Sequence, residues 1–529
     1  MTRPAARALI AFALTTTSLA PVEAAPPAGF EQRVEGLRKA FGAPGVTIAI
    51  VENGQPTLAR GWGIRRVGSP APVDANTIFA TGSTGKAFTV AALAILVDQG
   101  KLKWDDKVID HMPDFRLWDP WVTREFTVRD LLVHRSGLGL GAGDMLFVPN
   151  SNLTRKETVR RLRHIKPATS FRSAYAYDNV LYMAAGQLIE EVSGESWEQF
   201  VRRNIYRPLG MNNSTVSDTE QQRSRNRANP HSRSGGTIAG MGTLAPLDEN
   251  AAMSPNSAPA GGLAISANDM TRWLLTQLRE GQIPNSNRRL FSADQSKEMW
   301  TPVTLMPNDS YPAEFAVTRP NFSTYALGWD VQDYRGAKIV WHGGAVFGSL
   351  AAVVLLPGKD VGFYIATNSE EGQIVRGLMY ELLDHYLGLP AGGWPEKFNA
   401  YKQARLAEAA KAVTTQLAQP AKAGPSLPLE RYVGDYADPW YGTVKVRRSG
   451  NGLTIQFPHT KGLDGPLTHY QYDTFRTNPA LKWMEPAFVT FALNADGKVD
   501  RVTMKAVSPV ADFSWDYHDL DFKPVAAAK

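Results

Sequence analysis

Cysteine is absent from all 529 residues. That excludes disulfides, a thiol nucleophile, cysteine-bound metal and a lipidated cysteine, and leaves buried apolar surface to hold the fold. No internal run reaches the roughly 20 apolar residues of a membrane-spanning helix. The nine histidines are scattered, and no His-Glu-x-x-His pair offers a zinc hydrolase site. No Gly-x-Ser-x-Gly elbow marks an α/β-hydrolase. A P-loop would need glycine at 80 and Ser or Thr at 87, where the chain has Ala80 and Ala87. A strong charge of one sign is also missing: 57 Lys and Arg face 51 Asp and Glu, a formal net charge of +6. The basic runs Arg155–Lys166 and Arg223–Arg227 are read as a solvated helix face and a loop. No zinc finger or RNA-binding signature accompanies them, so no nucleic-acid partner is expected.

Hydrophobic residues make up 43% of the chain and charged residues 20%, the balance of a globular protein. The length suggests two or three domains. At the N-terminus, Arg3 and Arg7 precede the apolar stretch Ala8–Ala20, and Val22-Glu23-Ala24 offers a small-x-small cleavage site. Residues 1–25 are therefore expected to be a secretory signal peptide, and the mature protein to be periplasmic or secreted.

Ser83-Thr84-Gly85-Lys86 opens the apolar helical run that follows Phe79. Positions i and i+3 share a helix face, so the Lys86 amine can reach the Ser83 hydroxyl. A hydroxyl needs a neighbouring base to become a nucleophile, and lysine is such a base only if burial or charge lowers its pKa. Free N–H groups at the helix start favour a developing oxyanion.

The rest of the chain supplies two further motifs. Residues 30–41 carry apolar residues at helical spacing, and Gly45–Val51 with Thr57–Trp62 reads as a β-hairpin. Phe126–Leu138 is read as a short helix ending in a glycine turn, with His134 and Ser136 structural because no acid accompanies them. Tyr177-Asp178-Asn179 stands just before the periodic helix Val180–Val192, placed to project a phenol and an amide into a cleft. Residues 212–262, rich in Ser, Asn, Gly and Pro, are expected to form an irregular lid or long connection. His342-Gly343-Gly344-Ala345 ends a β run whose small residues let a substrate backbone lie alongside. An Ala/Lys/Glu-rich helix (395–417) and a Pro-rich linker follow. From Leu429 short alternating strands predict a small all-β barrel or sandwich with no chemistry of its own.

Ser83-Thr-Gly-Lys86, Tyr177-Asp-Asn179 and His342-Gly-Gly344, in this order, resemble the serine β-lactamase and penicillin-binding superfamily. The resemblance is to its class C-related branch of D,D-carboxypeptidases, D-aminopeptidases and esterases. Pro208–Met211, Pro259–Leu263 and Tyr325–Trp329 add local likeness. The resemblance implies an α+β fold, an antiparallel sheet flanked by helices with a helical subdomain, over residues 26–394. A helix and linker (395–428) and a lipocalin-like domain (429–529) complete the expected organisation. It implies Ser83 as nucleophile, and Lys86 as base that also lowers the pKa of Tyr177. Tyr177 would act as a second base and proton donor. Asn179, His342, Gly343 and Gly344 would bind substrate, and the N–H groups of Ser83 and Ala345 would form the oxyanion hole. No cofactor or metal is implied. Many β-lactamases carry lysine where this chain has His342, and a neutral histidine holds a carboxylate less strongly. The expected reaction is amide hydrolysis in unusual or D-residue-containing peptides, such as linearised cyclic peptides. Carboxylesterase, β-lactamase and a non-hydrolytic penicillin-binding sensor are the alternatives. The expected partner is a small peptide, amide or ester, and the oligomeric state is left open.

Overall fold

Gly45-Val-Thr-Ile-Ala-Ile-Val-Glu52 is buried along its whole length. A strand covered on both faces needs apolar side chains at nearly every position, which this run provides. In this computed structural model, which describes residues 26–248, 251–308, 311–418 and 423–526, that strand lies inside an eight-stranded antiparallel sheet. The signal peptide expected over 1–25 lies outside the described residues.

The strands are β1 (Gly45–Glu52), β2 (Gln55–Gly63), β3 (Thr304–Met306), β4 (Ser323–Tyr325), β5 (Asp330–Tyr334), β6 (Ala337–Val346), β7 (Ser349–Leu356) and β8 (Val361–Thr367). Their order across the sheet is β2-β1-β8-β7-β6-β5-β4-β3. Period-2 alternation splits β1 between two cores. Val46, Ile48 and Ile50 pack with Phe30, Val34 and Leu37 of helix α1 (Phe30–Phe41), while Ala49 and Val51 face the opposite layer. That layer is built on α2 (Lys86–Asp98), α3 (Val180–Ser193) and α4 (Ala267–Leu278). The α1 side is completed by α5 (Gly372–Tyr386), against which α6 (Trp394–Ala418) lies.

Helix α2 is the central element. From Lys86 to Leu96 every residue is buried, and Phe88 stacks on Trp273 of α4 at 3.9 Å between centroids. A helix that is apolar all round must be covered on every side, and full burial of a Leu, Ile or Phe contributes about 1.5–3 kcal/mol. The same covering strips water from Lys86.

Beyond α6, eight strands from Gly434–Asp438 to Asp521–Pro524 form a closed antiparallel barrel in sequential order. Tyr436, Val444, Ile455, Phe475, Val489 and Phe491 fill it. The expected β-lactamase-like α+β domain and small all-β domain are both present.

Two local expectations change. Phe126–Leu138 is not a helix but a single tight turn at Arg129–Leu131. Asp130 Oδ2 accepts from the Thr127 N–H and hydroxyl, and the carboxylate also pairs with Arg135 and Arg172, so the segment wraps around a buried acid. The described residues of 212–262 form regular elements as well as loops. They carry a helix at Asp218–Arg223 and a hairpin, His231–Gly235 with Gly242–Pro246.

Candidate active site

Ser83 sits on a tight turn, Gly82–Gly85, and Lys86 begins α2 directly after it. The i, i+3 spacing brings Lys86 Nζ to 3.0 Å from Ser83 Oγ. Nζ also donates to Asn179 Oδ1 at 2.6 Å and to the Ala260 carbonyl at 3.0 Å. Burial penalises the ammonium and brings the Lys86 pKa down to about 7, although the carboxylates of Asp144 and Asp178 pull the other way. A lysine so placed changes charge near neutrality, as a general base for Ser83 must.

The second wall is the segment leading into α3. Asn179 accepts from Lys86 and donates through Nδ2 to Asp144 Oδ2 at 2.9 Å. Tyr177 is held by its ring: Lys86 Nζ lies 4.7 Å from the centroid, and the His134 ring centroid lies 4.2 Å from it. Its hydroxyl is buried and makes no hydrogen bond of ordinary geometry among the described residues, although the Ser83 hydroxyl lies near enough to act on it. The phenol was expected to be acidified by Lys86. Instead burial drives its pKa well above the usual value, with only Ser83 acting against that, so the Tyr177 phenol is neutral at rest.

His134 and Ser136 prove to have the acid partner that the sequence did not show. Ser136 Oγ donates to Asp178 Oδ2 at 3.1 Å, and His134 Nδ1 lies 3.7 Å from Asp178 Oδ1. His134 Nδ1 accepts from the Asp178 N–H at 3.2 Å, and burial keeps the ring neutral. The cluster braces Tyr177.

The third wall is β6, pressed against the nucleophile turn. A Cβ on Gly344 would fall 1.9 Å from the Thr81 carbonyl oxygen, and one on Gly82, at φ +52°, would fall 2.6 Å from the Ala345 nitrogen. Only glycine allows strand and turn to meet so closely. The approach puts the Ala345 backbone beside Ser83. His342 is turned inward: Nδ1 bonds the Gly343 carbonyl at 2.6 Å and Nε2 the Tyr325 hydroxyl at 2.8 Å. Because a carbonyl only accepts, Nδ1 carries the proton and Nε2 accepts from Tyr325. Burial lowers the His342 pKa to about 3, so the ring supplies no positive charge to a substrate carboxylate.

A family model described as Beta-lactamase matches residues 30–384. The chain belongs to the β-lactamase family. A second model, described as a domain of unknown function (DUF3471), matches residues 418–524. The chain is similar to the unguisins hydrolase ungD of Aspergillus violaceofuscus, 29% identical over 452 residues, 79% of this chain and 76% of that protein. It is also similar to penicillin-binding protein 4 of Amycolatopsis lactamdurans, 27% identical over 378 residues, 70% of this chain and 92% of that protein. The octameric penicillin-binding protein homologue from Pyrococcus abyssi shares the fold, with TM-score 0.58 and 22% identity over 90% of this chain and 97% of that one. The chain is a serine hydrolase of this family.

In this β-lactamase-family protein the three walls enclose a cleft of about 780 Å³. Leu140, Phe147, Trp341 and Phe347 line it, and so do Trp483, Phe513 and Trp515 of the barrel domain. The barrel was expected to carry no chemistry of its own, yet its segment 508–516 reaches the active site. Phe513 meets the Tyr177 ring edge-on at 6.0 Å, and Ser514 Oγ donates to Asp144 Oδ2 at 2.7 Å. Arg161, from one of the basic runs, donates to the Trp440 and Tyr441 carbonyls of the barrel instead of facing solvent. Asp144, Asp178, Ala260 and Tyr325 are the site residues that sequence reasoning did not assign. Only Asp144 lacked a hint, for the other three lie inside stretches already marked by likeness.

Proposed function

We propose that this chain hydrolyses amide bonds in unusual or D-residue-containing peptides, linearised cyclic peptides among them, through an acyl-enzyme on Ser83. The observation that carries the reading is the Ser83–Lys86 pair: a hydroxyl 3.0 Å from a buried amine whose pKa lies near 7. Neutral Lys86 takes the Ser83 proton as Oγ attacks the carbonyl carbon. The oxyanion is received by the N–H groups of Ser83 and Ala345. As the carbon–nitrogen bond breaks, the Tyr177 hydroxyl gives its proton to the leaving amine and is reprotonated from Lys86. Water then adds to the acyl carbonyl and restores Ser83.

Three features support peptides over small anionic substrates. The cleft is walled by aromatic side chains, its volume suits several residues, and His342 offers no cationic anchor. A relative bearing the name unguisins hydrolase is consistent with the reading. A panel of D- and L-aminoacyl amides, linear peptides, short-chain esters and a chromogenic cephalosporin tests it. Faster turnover of amides and peptides, lost in Ser83→Ala, is expected. Preferential turnover of the cephalosporin or of esters, or a lasting adduct with every compound, contradicts it.

A further inference from the structure

Asp144 is a fully buried carboxylate to which the acyl-enzyme mechanism gives no task. Its Oδ2 accepts from Asn179 Nδ2 at 2.9 Å and from Ser514 Oγ at 2.7 Å, while Oδ1 has no partner among the described residues. Asn179 presents its other face, Oδ1, to Lys86 Nζ at 2.6 Å. A continuous chain therefore runs from the barrel domain to the catalytic lysine: Ser514, Asp144, Asn179, Lys86. An ionised carboxylate only accepts, so Asp144 dictates that the amide turns its NH2 toward it and its carbonyl toward Lys86. The same barrel segment also grips the backbone around Asp144. Asp516, buried, accepts from the Gly143 N–H at 2.8 Å and from the Met145 N–H at 3.2 Å.

We propose that the barrel is a working part of the active site, with Ser514 a positioning residue that holds, through Asp144, the Asn179 face to which Lys86 donates. The inference rests on the Ser83–Lys86 reading above and adds to it a regulator supplied by the second domain.

The charges around the pair fix the direction of its effect. Lys86 faces Asp144 and Asp178, the rings of Tyr177 and Tyr182, and the neutral imidazoles of His134 and His342. Asp144 faces Lys86, Asp512 and Asp516. Burial raises Asp144 to about 7, while Ser514, Asn179 and Lys86 act to keep it ionised. Loss of Ser514 lets Asp144 hold a proton more readily. Lys86 then loses a neighbouring negative charge, and its ammonium gives up its proton at lower pH.

The test is the rate at which a fluorophosphonate labels Ser83, measured against pH on the full chain. In Ser514→Ala the rise in labelling is expected to move to lower pH by roughly half to one pH unit. Ser514→Thr, which keeps the hydroxyl, is expected to restore the original midpoint. Asp144→Asn, which removes the charge itself, is expected to shift it the same way and serves if Ser514→Ala does not fold. A midpoint unmoved in folded Ser514→Ala, even with a uniformly lower rate, overturns the inference, and so does a midpoint unmoved in Asp144→Asn where Ser514→Ala does not fold. So does an equal shift in Ser514→Thr. Failure of the wild-type chain to label at Ser83 overturns the acyl-enzyme reading instead, and the two failures are distinct.

Discussion

The Tyr325 hydroxyl donates to His342 Nε2 at 2.8 Å, and with the Gly343 carbonyl on Nδ1 it satisfies both ring nitrogens inside the protein. The histidine of the third motif is thus a structural strut of the cleft wall. Nitrogen-detected NMR of the imidazole is expected to show one neutral tautomer, protonated at Nδ1, down to about pH 5. Tyr325→Phe leaves Nε2 buried without a donor and is expected to cost about 1–3 kcal/mol in urea unfolding. A His342 that titrates near its ordinary pKa contradicts this placement.

Lys86→Arg separates charge from basicity at the nucleophile. Arginine keeps the positive charge but does not deprotonate in proteins. Turnover is expected to fall by about 10²–10⁴-fold, the usual contribution of a general base. Arginine retaining wild-type turnover at Lys86 means that the side chain acts only by charge.

Tyr177→Phe is expected to divide stability from activity. The ring contacts with His134 and Lys86 survive, and a buried hydroxyl that makes no hydrogen bond of ordinary geometry is removed. The unfolding midpoint should hold or rise, while turnover of amides falls by roughly 10²-fold or more, because the leaving amine loses its proton donor. Equal activity of Tyr177→Phe and wild type assigns that proton to another group.

Gly344→Ala probes the approach of β6 to the nucleophile turn. The added methyl carbon would stand 1.9 Å from the Thr81 carbonyl oxygen, a backbone atom that has little room to move. The strand must retreat, and kcat/KM is expected to drop by about 10²-fold, as misplacement of about 1 Å costs. Full activity in the variant shows that the oxyanion donors do not depend on this contact.

The three motif walls were legible because each is local: a serine and lysine one helical turn apart, a loop at a helix start, a strand ending in small residues. The hairpin of β1 and β2 was readable from their own residues, whereas the antiparallel sheet around it was implied only by the family resemblance. What the sequence hid is what depends on contacts between distant segments. Asp144 stands in a glycine-rich loop and becomes a site residue only because Asn179 and Ser514, 35 and 370 positions away, converge on it. The acid beside His134 and Ser136 is Asp178, more than 40 positions along the chain. Tyr177 was expected to be acidified by Lys86 because the sequence does not show how deeply the phenol is buried, and burial raises its pKa. The role of the barrel was unreadable for the same reason, since Ser508–Asp516 carries no motif and acts by where it lands.

The proposed reaction stands or falls on acylation of Ser83 with Lys86 as its base. Intact mass measured during rapid mixing with an activated D-aminoacyl anilide, across the neutral pH range, tests it most directly. The expected result is a transient adduct of acyl mass on Ser83 whose rate of formation rises with pH to a midpoint near the Lys86 pKa of about 7. No adduct should form in Ser83→Ala. Turnover without any adduct, an adduct that forms equally in Ser83→Ala, or a formation rate flat across that pH range contradicts it.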